Sequence, residues 1–188
     1  MSMHVLAISP GKGFEPQAWR RVLRSGIDGL MIREKHLEAR ALLDLTRRAQ
    51  DLAPEVELWV NGRLDVALRA GCGLHAPETY PEVPSSICPL SRPLHAVADF
   101  PNRAEAQQLL LSPIFAVPGK GEPLGAAGLH RWLEALPPFR GRLVALGGIT
   151  GENVSSLKHS RLGGVALIRT LWDAADPVAV VETLKAAW

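Results

Sequence analysis

Short apolar runs alternate with amphipathic or irregular segments along the whole chain. Eight runs predict strands, at His4–Ser9, Gly29–Glu34, Glu57–Val60, Gly73–His75, Ile87–Ser91, Leu109–Phe115, Leu143–Ile149 and Gly164–Thr170. Helices are predicted between most of them, at Pro16–Arg24, Glu38–Leu52, Leu64–Arg69, Arg103–Gln108, Leu129–Leu136, Glu152–His159 and Pro177–Ala187. Strands that alternate with helices favour parallel pairing through right-handed crossovers. The pattern therefore predicts an α/β fold in which residues 1–188 form one small (β/α)₈ TIM barrel as a single domain.

Chain length limits how complete such a barrel can be. A doubly wound open sheet is the alternative fold, but it usually has about five or six strands rather than eight. A (β/α)₈ barrel typically has ~250 residues and this chain has 188, so some helices must be shortened or missing. Three prolines between residues 76 and 86 predict a loop after the fourth strand. Glycines and prolines also predict a long loop over 116–127, placed to act as a lid or an anion clamp.

The charge balance narrows the class of partner. The chain has 21 basic and 19 acidic side chains and a formal charge of +2, which leaves no electrostatic footprint for nucleic acid or an anionic membrane. No stretch approaches the ~20 apolar residues of a membrane span, and the first residues do not form a signal peptide. Cys72 and Cys88 form no C-x-x-C pair and suit a reducing compartment. We therefore expect a cytoplasmic protein that binds a small molecule.

Each predicted strand finishes in polar or glycine residues, which are Ser9, Arg33 with Lys35, Asn61, His75, Ser91 with Arg92, Ser112, Gly147 with Gly148, and Arg169 with Thr170. In (β/α)₈ barrels the C-terminal ends of the strands meet at one mouth, where the chemistry occurs. Because alternate residues of a strand share a face, Arg33 and Lys35 are predicted to point two cations into that mouth. A single polar strand end can simply mark the start of a loop, but the set of eight indicates a site.

The segment after the seventh strand is the sharpest local signal. Gly147 and Gly148 let the backbone approach a ligand closely and supply unhindered N–H donors. Thr150 is placed to cap a following helix, and a short helix is predicted around Leu171–Ala174 after the eighth strand. Phosphate groups commonly bind between loops seven and eight of these barrels. The glycine pair therefore predicts a phosphate site.

Motifs along most of the chain resemble those of the thiamine phosphate synthase/TenI superfamily. They are Ile32-Arg33-Glu34-Lys35, the run from Val60 to Leu68, Gly73-Leu74-His75, Ser91 with His95, Ser112-Pro113-Ile114-Phe115, Lys120 in its loop, Ala145 to Thr150, and Gly164-Val165-Ala166. The resemblance implies a role in thiamine biosynthesis. Synthases of this superfamily join a pyrimidine diphosphate to a thiazole phosphate and expel pyrophosphate. By position, the pyrophosphate side matches Arg33, Lys35, Asn61 and Lys120, and the thiazole phosphate side matches Gly147, Gly148, Arg169 and Thr170.

The chain departs from the synthase pattern at the magnesium ligands. Synthases carry aspartates at the positions of Gly62 and Tyr80, and Mg²⁺ needs such hard oxygen ligands. Glu78 is a nearby carboxylate that could substitute. We therefore predict no metal site and no cofactor, with Mg²⁺ needed only if the chain is a synthase. Asn61-Gly62 is typical of the TenI branch, which isomerises a thiazole carboxylate phosphate, but the histidine that this branch carries after strand six is replaced by Pro113.

Three functions remain open on these residues. The preferred hypothesis is a TenI-like thiazole tautomerase in which His75 moves the proton, because histidine titrates near neutral pH, and Lys120 assists. A hydrogen-bonded core histidine is the structural alternative for His75. The first functional alternative is a thiamine phosphate synthase with a rewired metal site, and the second is a non-catalytic, regulatory protein that keeps the phosphate pocket. All three bind a phosphorylated small molecule, and a homodimer is a further expectation.

Overall fold

Eight parallel strands close into a barrel in which each strand pairs with the next along the chain and the last pairs with the first. The computed structural model describes residues 2–188. The strands are β1 (His4–Ile8), β2 (Gly29–Ile32), β3 (Glu57–Asn61), β4 (Gly73–His75), β5 (Leu90–Leu94), β6 (Gln108–Leu111), β7 (Arg142–Leu146) and β8 (Gly164–Leu167). The predicted (β/α)₈ class is confirmed, and the open sheet is excluded by the pairing of β1 with β8.

Helices surround the barrel but do not follow every strand. They are α1 (Pro16–Leu23), α2 (Ala39–Leu52), α3 (Leu64–Ala70), α4 (Gly125–Ala135), α5 (Arg169–Trp172) and α6 (Pro177–Ala186), with 3₁₀ helices at Val97–Asn102 and Val154–Leu157. Carboxylates cap the N-termini of two of these helices: the side chain of Glu15 accepts backbone N–H bonds at the start of α1, and that of Asp176 does so at the start of α6. Within residues 2–188, no helix has the length and hydrophobicity that a membrane crossing requires.

The fifth strand lies three residues later than the predicted Ile87–Ser91. Pro93 inside it argues against a strand at the level of sequence, because proline cannot donate a ladder hydrogen bond. In the barrel, the Ser91 carbonyl accepts from Ala76 N–H on the β4 side, and Pro93 faces the same side two residues later. β4 has already ended at His75, so the missing N–H of Pro93 forfeits no ladder bond.

A loop takes the place of a helix between β4 and β5, as the prolines predict. Two ion pairs attach it to the barrel: Arg92 Nη2 donates to Glu82 Oε2 at 3.1 Å, and Arg103 Nη2 donates to Glu78 Oε1 at 2.7 Å. Both arginines are buried, so the loop carboxylates compensate charges that burial would otherwise penalise. Val83 of the same loop is buried in the outer core. The loop thereby covers the sheet where a helix is missing.

The helix predicted at Arg103–Gln108 is wrong. The helical turn in this connection is the 3₁₀ helix at Val97–Asn102, and the chain then turns directly into β6. The segment extends the sheet instead of forming a helix, because Gln107 N–H donates to Leu90 O at 2.8 Å and so joins the ladder beside β5. The loop after β6 covers residues 112–124, earlier in the chain than the predicted 116–127, because β6 ends at Leu111 and α4 begins at Gly125.

The sheet separates two apolar cores. The outer core packs one set of alternate strand residues, such as Leu30 and Val60, against helix residues such as Leu45. The inner core fills the middle of the barrel with Leu6, Ile8, Met31, Trp59, Leu110, Val144 and Ala166. The lumen is therefore largely a packed apolar layer, and the buried polar side chains of Ser91 on β5 and Gln108 on β6 also lie inside the barrel.

Gly73→Ala tests the packing of that inner layer. A Cβ at Gly73 would overlap the ring of Trp59, and the closed barrel gives the ring little room to move. We expect the free energy of unfolding to fall by about 1–3 kcal/mol, measured by equilibrium urea denaturation. Gly121→Ala is the matched control, because nothing lies within 4 Å of its Cβ position. Equal stability of the two variants would contradict the tight contact.

Candidate active site

Closure of a parallel barrel brings all eight strand C-termini to one pole. Arg33 follows β2, Asn61 ends β3, His75 ends β4 and Gly147 follows β7, so these predicted site residues surround one mouth. The register places Asn61, His75 and Ser91 side by side on three adjacent strands. The cationic and glycine-rich parts of the predicted site therefore face the same opening.

His75 is held at one ring nitrogen and open at the other. The side chain is buried, and its Nδ1 lies 2.9 Å from Oγ of the fully buried Ser91. Its Nε2 has no hydrogen-bond partner within residues 2–188 and is not sealed from solvent. A ring anchored in this way presents a single nitrogen to a ligand in the mouth.

The surroundings of His75 keep it neutral. Its pKa is lowered to about 4, first by burial and then by the positive charges of Arg33 and Arg92. At pH 7 a histidine with such a pKa carries no charge. The predicted near-neutral titration of His75 is therefore wrong, because burial and two neighbouring arginines disfavour the protonated ring.

Arg33 lies at the mouth directly after β2, whereas Lys35 lies in the turn that follows. Arg33 is half-buried, its N–H donates to Ser9 Oγ at 2.8 Å, and its guanidinium makes no ion pair within residues 2–188. β2 ends at Ile32, and Lys35 lies exposed in the following turn. The prediction that both cations share a strand face is wrong, because the alternation stops before Lys35.

The buried carboxylate of Glu34 fixes the loop after β1. It accepts hydrogen bonds from Gly11 N–H at 3.1 Å and Gly13 N–H at 2.7 Å. Both glycines have positive φ, at 81° and 79°, so the loop adopts a turn that other residues rarely allow. Glu34 therefore ties the first loop to the end of β2, beside Arg33.

Close packing requires the two glycines after β7. Their φ angles are 114° for Gly147 and 64° for Gly148. A Cβ at Gly147 would lie 3.1 Å from Ile114 N, and one at Gly148 would lie 2.8 Å from Phe115 Cβ. The loop after β6 thus presses directly on the glycine pair, which leaves no space for side chains on that side.

Asn153, not Thr150, organises the turn that follows the glycines. Asn153 Oδ1 accepts from Thr150 N–H, and Asn153 Nδ2 donates to Gly148 O, both at 2.9 Å. The predicted cap at Thr150 is wrong, because this side-chain turn replaces the first part of the predicted helix Glu152–His159. The N–H groups of Gly148 and Ile149 have no hydrogen-bond partner in the described part of the chain.

Loops seven and eight are joined at their bases. The Thr170 hydroxyl donates to Ile149 O at 2.8 Å, which uses the hydroxyl proton for structure. Arg169 is exposed at the start of α5 and is free to extend towards the same opening. Free N–H groups at Gly148 and Ile149, together with a cation on the adjoining loop, match the chemistry of a phosphate site.

Lys120 lies exposed in the loop between β6 and α4. Its own N–H donates to Val117 O at 3.1 Å, and its Nζ makes no hydrogen bond or ion pair within residues 2–188. No such contact joins Lys120 to His75, so its assisting role stays a prediction.

The residues at the synthase metal positions do not fit Mg²⁺. Tyr80 Oη accepts the Leu64 N–H at 3.2 Å and so serves the start of α3, while Gly62 offers no side chain. The suggested substitute, Glu78, is already bonded to Arg103. No cluster of three or more His, Cys, Asp or Glu side chains in residues 2–188 could hold a metal. Mg²⁺ prefers several oxygen ligands, and this donor set does not supply them.

Sequence reasoning missed the polar residues beneath the mouth. Gln108 Nε2 donates to Ser91 Oγ at 3.2 Å, and Arg142 Nη1 donates to Gln108 Oε1 at 3.3 Å. The signal was available, because Gln108 and Leu110 alternate on β6 and so share the lumen face. The predicted helix Arg103–Gln108 hides this alternation, because it removes Gln108 from the strand.

Known proteins resemble nearly the whole chain. A family model described as thiamine monophosphate synthase (TMP-TENI) matches residues 7–171. The thiamine-phosphate synthase of Syntrophomonas wolfei is 28% identical over 180 residues, covering 90% of this chain and 86% of that protein. The thiamine-phosphate synthase of Vibrio campbellii is 30% identical over 182 residues, covering 88% of each chain.

Solved structures share the barrel. Thiamine phosphate pyrophosphorylase from Pyrococcus furiosus matches with a TM-score of 0.85 at 19% identity, covering 98% of this chain and 95% of that one. A 3-hexulose-6-phosphate synthase matches with a TM-score of 0.63 at 16% identity, covering 98% and 99%. At such identities the structural likeness establishes the fold alone.

The neutral state of His75 predicts how stability depends on pH. Its folded pKa of about 4 lies below the ordinary value of about 6.5, so the unfolded chain takes up the proton first as the pH falls. Stability should therefore decline between about pH 6.5 and pH 4. In His75→Gln we expect the loss of unfolding free energy from about pH 7 to about pH 4.5 to be smaller by roughly 2–3 kcal/mol.

Urea denaturation across this pH range measures the effect. His4→Gln is a companion variant, because burial also lowers the pKa of His4 to about 4 and its contribution has the same sign. Identical pH profiles for the wild type and His75→Gln would show that His75 is not held neutral by the fold.

Proposed function

The chain belongs to the thiamine monophosphate synthase family, and on this premise we propose that it is a thiamine phosphate synthase, joining a pyrimidine diphosphate to a thiazole phosphate with release of pyrophosphate. Its relatives are enzymes of thiamine biosynthesis that act on small phosphorylated substrates. These relatives favour a transferase, so the TenI-like isomerase preferred from the sequence alone is not supported. The synthase, which was the alternative, becomes the main hypothesis.

The observation that carries this proposal is the unpaired cation at the end of β2. Arg33 is half-buried, its charge acts on His75, and no carboxylate within residues 2–188 pairs with it. A guanidinium in this position is stabilised when an anion binds, and its planar fork suits phosphate oxygens. We therefore assign Arg33 to the diphosphate, with Lys35 and Lys120 as exposed cations near the same mouth.

The thiazole phosphate is assigned to the part of the mouth that the loops after β7 and β8 form. The free N–H groups of Gly148 and Ile149 can donate to its oxygens, and Arg169 adds a positive charge. Thr170 keeps loops seven and eight together through its bond to Ile149 O. The two phosphorylated substrates would then meet above the apolar layer that contains Met31 and Trp59.

In this proposal, hydrogen-bond donors of the chain itself stabilise the leaving group. As pyrophosphate leaves, negative charge grows on its oxygens, and donors already oriented there stabilise that charge. Arg33 and Asn61 lie at the ends of the adjacent strands β2 and β3 and can serve in this way. No step is routed through Mg²⁺, because Gly62 and Tyr80 replace the carboxylates that would hold it.

The same missing carboxylates favour a second candidate, a non-catalytic protein that binds a thiazole phosphate. Incubation with both substrates, in Mg²⁺ and separately in EDTA, tests the two candidates by product formation and pyrophosphate release. The synthase proposal expects thiamine phosphate in both conditions. If no product forms while calorimetry still detects thiazole phosphate binding, the second candidate is favoured. Absence of both product and binding would exclude both candidates.

Arg33→Gln removes the unpaired cation while keeping a polar side chain. We expect kcat/KM for the pyrimidine diphosphate to fall by about 10²-fold, because charge on the leaving group loses its main donor. Arg40→Gln, on the exposed face of α2, is the control and should keep full activity. Steady-state kinetics on both variants measures the effect, and equal activity would remove Arg33 from the site.

Gly148→Ala tests the phosphate loop with a control matched in backbone conformation. Gly148 and Gly71 have φ angles of 64° and 65°, but a Cβ at Gly148 meets Phe115 whereas nothing lies within 4 Å at Gly71. Both alanine variants should lose stability through φ strain. Only Gly148→Ala should raise KM for the thiazole phosphate, by about tenfold. A similar KM in both variants would contradict the assigned phosphate site.

A further inference from the structure

A line of hydrogen bonds runs down the barrel lumen from His75. Oγ of Ser91 lies 2.9 Å from His75 Nδ1 and 3.2 Å from Gln108 Nε2. Gln108 Oε1 lies 3.3 Å from Arg142 Nη1, and that nitrogen also donates to Glu57 Oε2 at 2.8 Å. Ser91 and Gln108 are fully buried, so water does not compete for these bonds. Arg142, Gln108 and Ser91 are called the lumen relay below.

The lower end of the lumen relay sets the direction of the bonds above it. A guanidinium only donates, so Gln108 must turn its carbonyl oxygen to Arg142 and its amide nitrogen to Ser91. Ser91 Oγ therefore accepts from Gln108. A buried hydroxyl proton without an acceptor is costly, and within residues 2–188 the acceptor in reach is His75 Nδ1.

The bond from Ser91 decides which ring nitrogen of His75 carries the proton. The ring is neutral at pH 7, because burial lowers its pKa to about 4, and a neutral imidazole holds one proton. With Nδ1 accepting from Ser91, that proton lies on Nε2. Nε2 is also the nitrogen that has no hydrogen-bond partner within residues 2–188 and remains open to solvent.

We propose that the lumen relay holds His75 as its Nε2–H tautomer, so that the ring donates a hydrogen bond to an anionic oxygen of a bound diphosphate. Arg142, Gln108 and Ser91 act through His75 and are positioning residues. The choice of a diphosphate rests on the proposed function, whereas the tautomer does not. A neutral Nε2–H group is a donor rather than a base, so His75 stabilises charge on the leaving group instead of moving a proton.

The tautomer can be measured directly by ¹⁵N NMR on the full chain labelled at histidine. Protonated and unprotonated ring nitrogens give well-separated signals, and the His75→Asn variant identifies the His75 signals by their loss. In the wild type at about pH 7 we expect an unprotonated Nδ1 and a protonated Nε2. The opposite tautomer in the wild type would overturn the proposal.

Gln108→Glu reverses the relay with almost no change of shape. The new carboxylate accepts from both Arg142 and the Ser91 hydroxyl, so Ser91 Oγ must instead accept from His75 Nδ1–H. We expect the His75 tautomer to reverse and the affinity for inorganic pyrophosphate, measured by calorimetry, to fall about tenfold. Gln107→Glu adds the same charge on an exposed neighbour outside the relay and should change neither reading.

Ser91→Ala provides an independent test should Gln108→Glu fail to fold. It removes the donor to Nδ1 while keeping a small buried side chain, and we expect both tautomers of His75 to become populated. A ring that stays entirely Nε2–H in either variant would overturn the relay. A reversed tautomer with unchanged pyrophosphate affinity would overturn the anion-donor role. Failure of the wild type to make thiamine phosphate would bear on the proposed function alone.

Discussion

Hydrogen bonding between β1 and β8 is the interaction on which the rest of the structure depends. It closes the sheet, so that strand ends far apart in the chain, at Arg33, His75 and Gly148, become neighbours around one mouth. An open sheet would leave these groups in a row and would expose two unpaired edges. Closure also creates a lumen, whose interior residues are shielded from water on every side.

The lumen combines a packed apolar cluster with a line of buried polar side chains. Its middle is apolar and filled by Trp59 and its neighbours. Buried polar groups beside this layer must be paired, and the bonds that link Gln108 to Ser91 and Ser91 to His75 meet that requirement. The same burial that demands pairing also keeps His75 neutral. Arg33 differs from these groups, because it is half-buried and no carboxylate within residues 2–188 pairs with its guanidinium, which is the basis for the proposed anion site.

Short connections explain much of what is unusual in this barrel. A loop replaces the helix after β4, and ion pairs with Arg92 and Arg103 hold it against the barrel. Glu78 is the loop carboxylate that pairs with Arg103. Tyr80 of the same loop bonds to the start of α3. The two positions at which the resemblance implies magnesium ligands, Gly62 and Tyr80, therefore offer no carboxylate. In the proposed synthase, the negative charge of the leaving pyrophosphate is neutralised by the chain's own cations and hydrogen-bond donors.

The sequence alone determined the eight-stranded class, the missing helix after β4 and the glycine pair at loop seven. These follow from local causes, which are apolar runs, prolines and backbone freedom. Only the tertiary structure decided the start of β5, the loss of the Arg103–Gln108 helix, the exposure of Lys35 and the neutral state of His75. Each depends on partners distant in the chain: Pro93 is tolerated because β4 has ended, and His75 is neutral because closure buries it beside two arginines. Local preference cannot encode such effects, since hydrogen bonding and burial are set by which strands become neighbours.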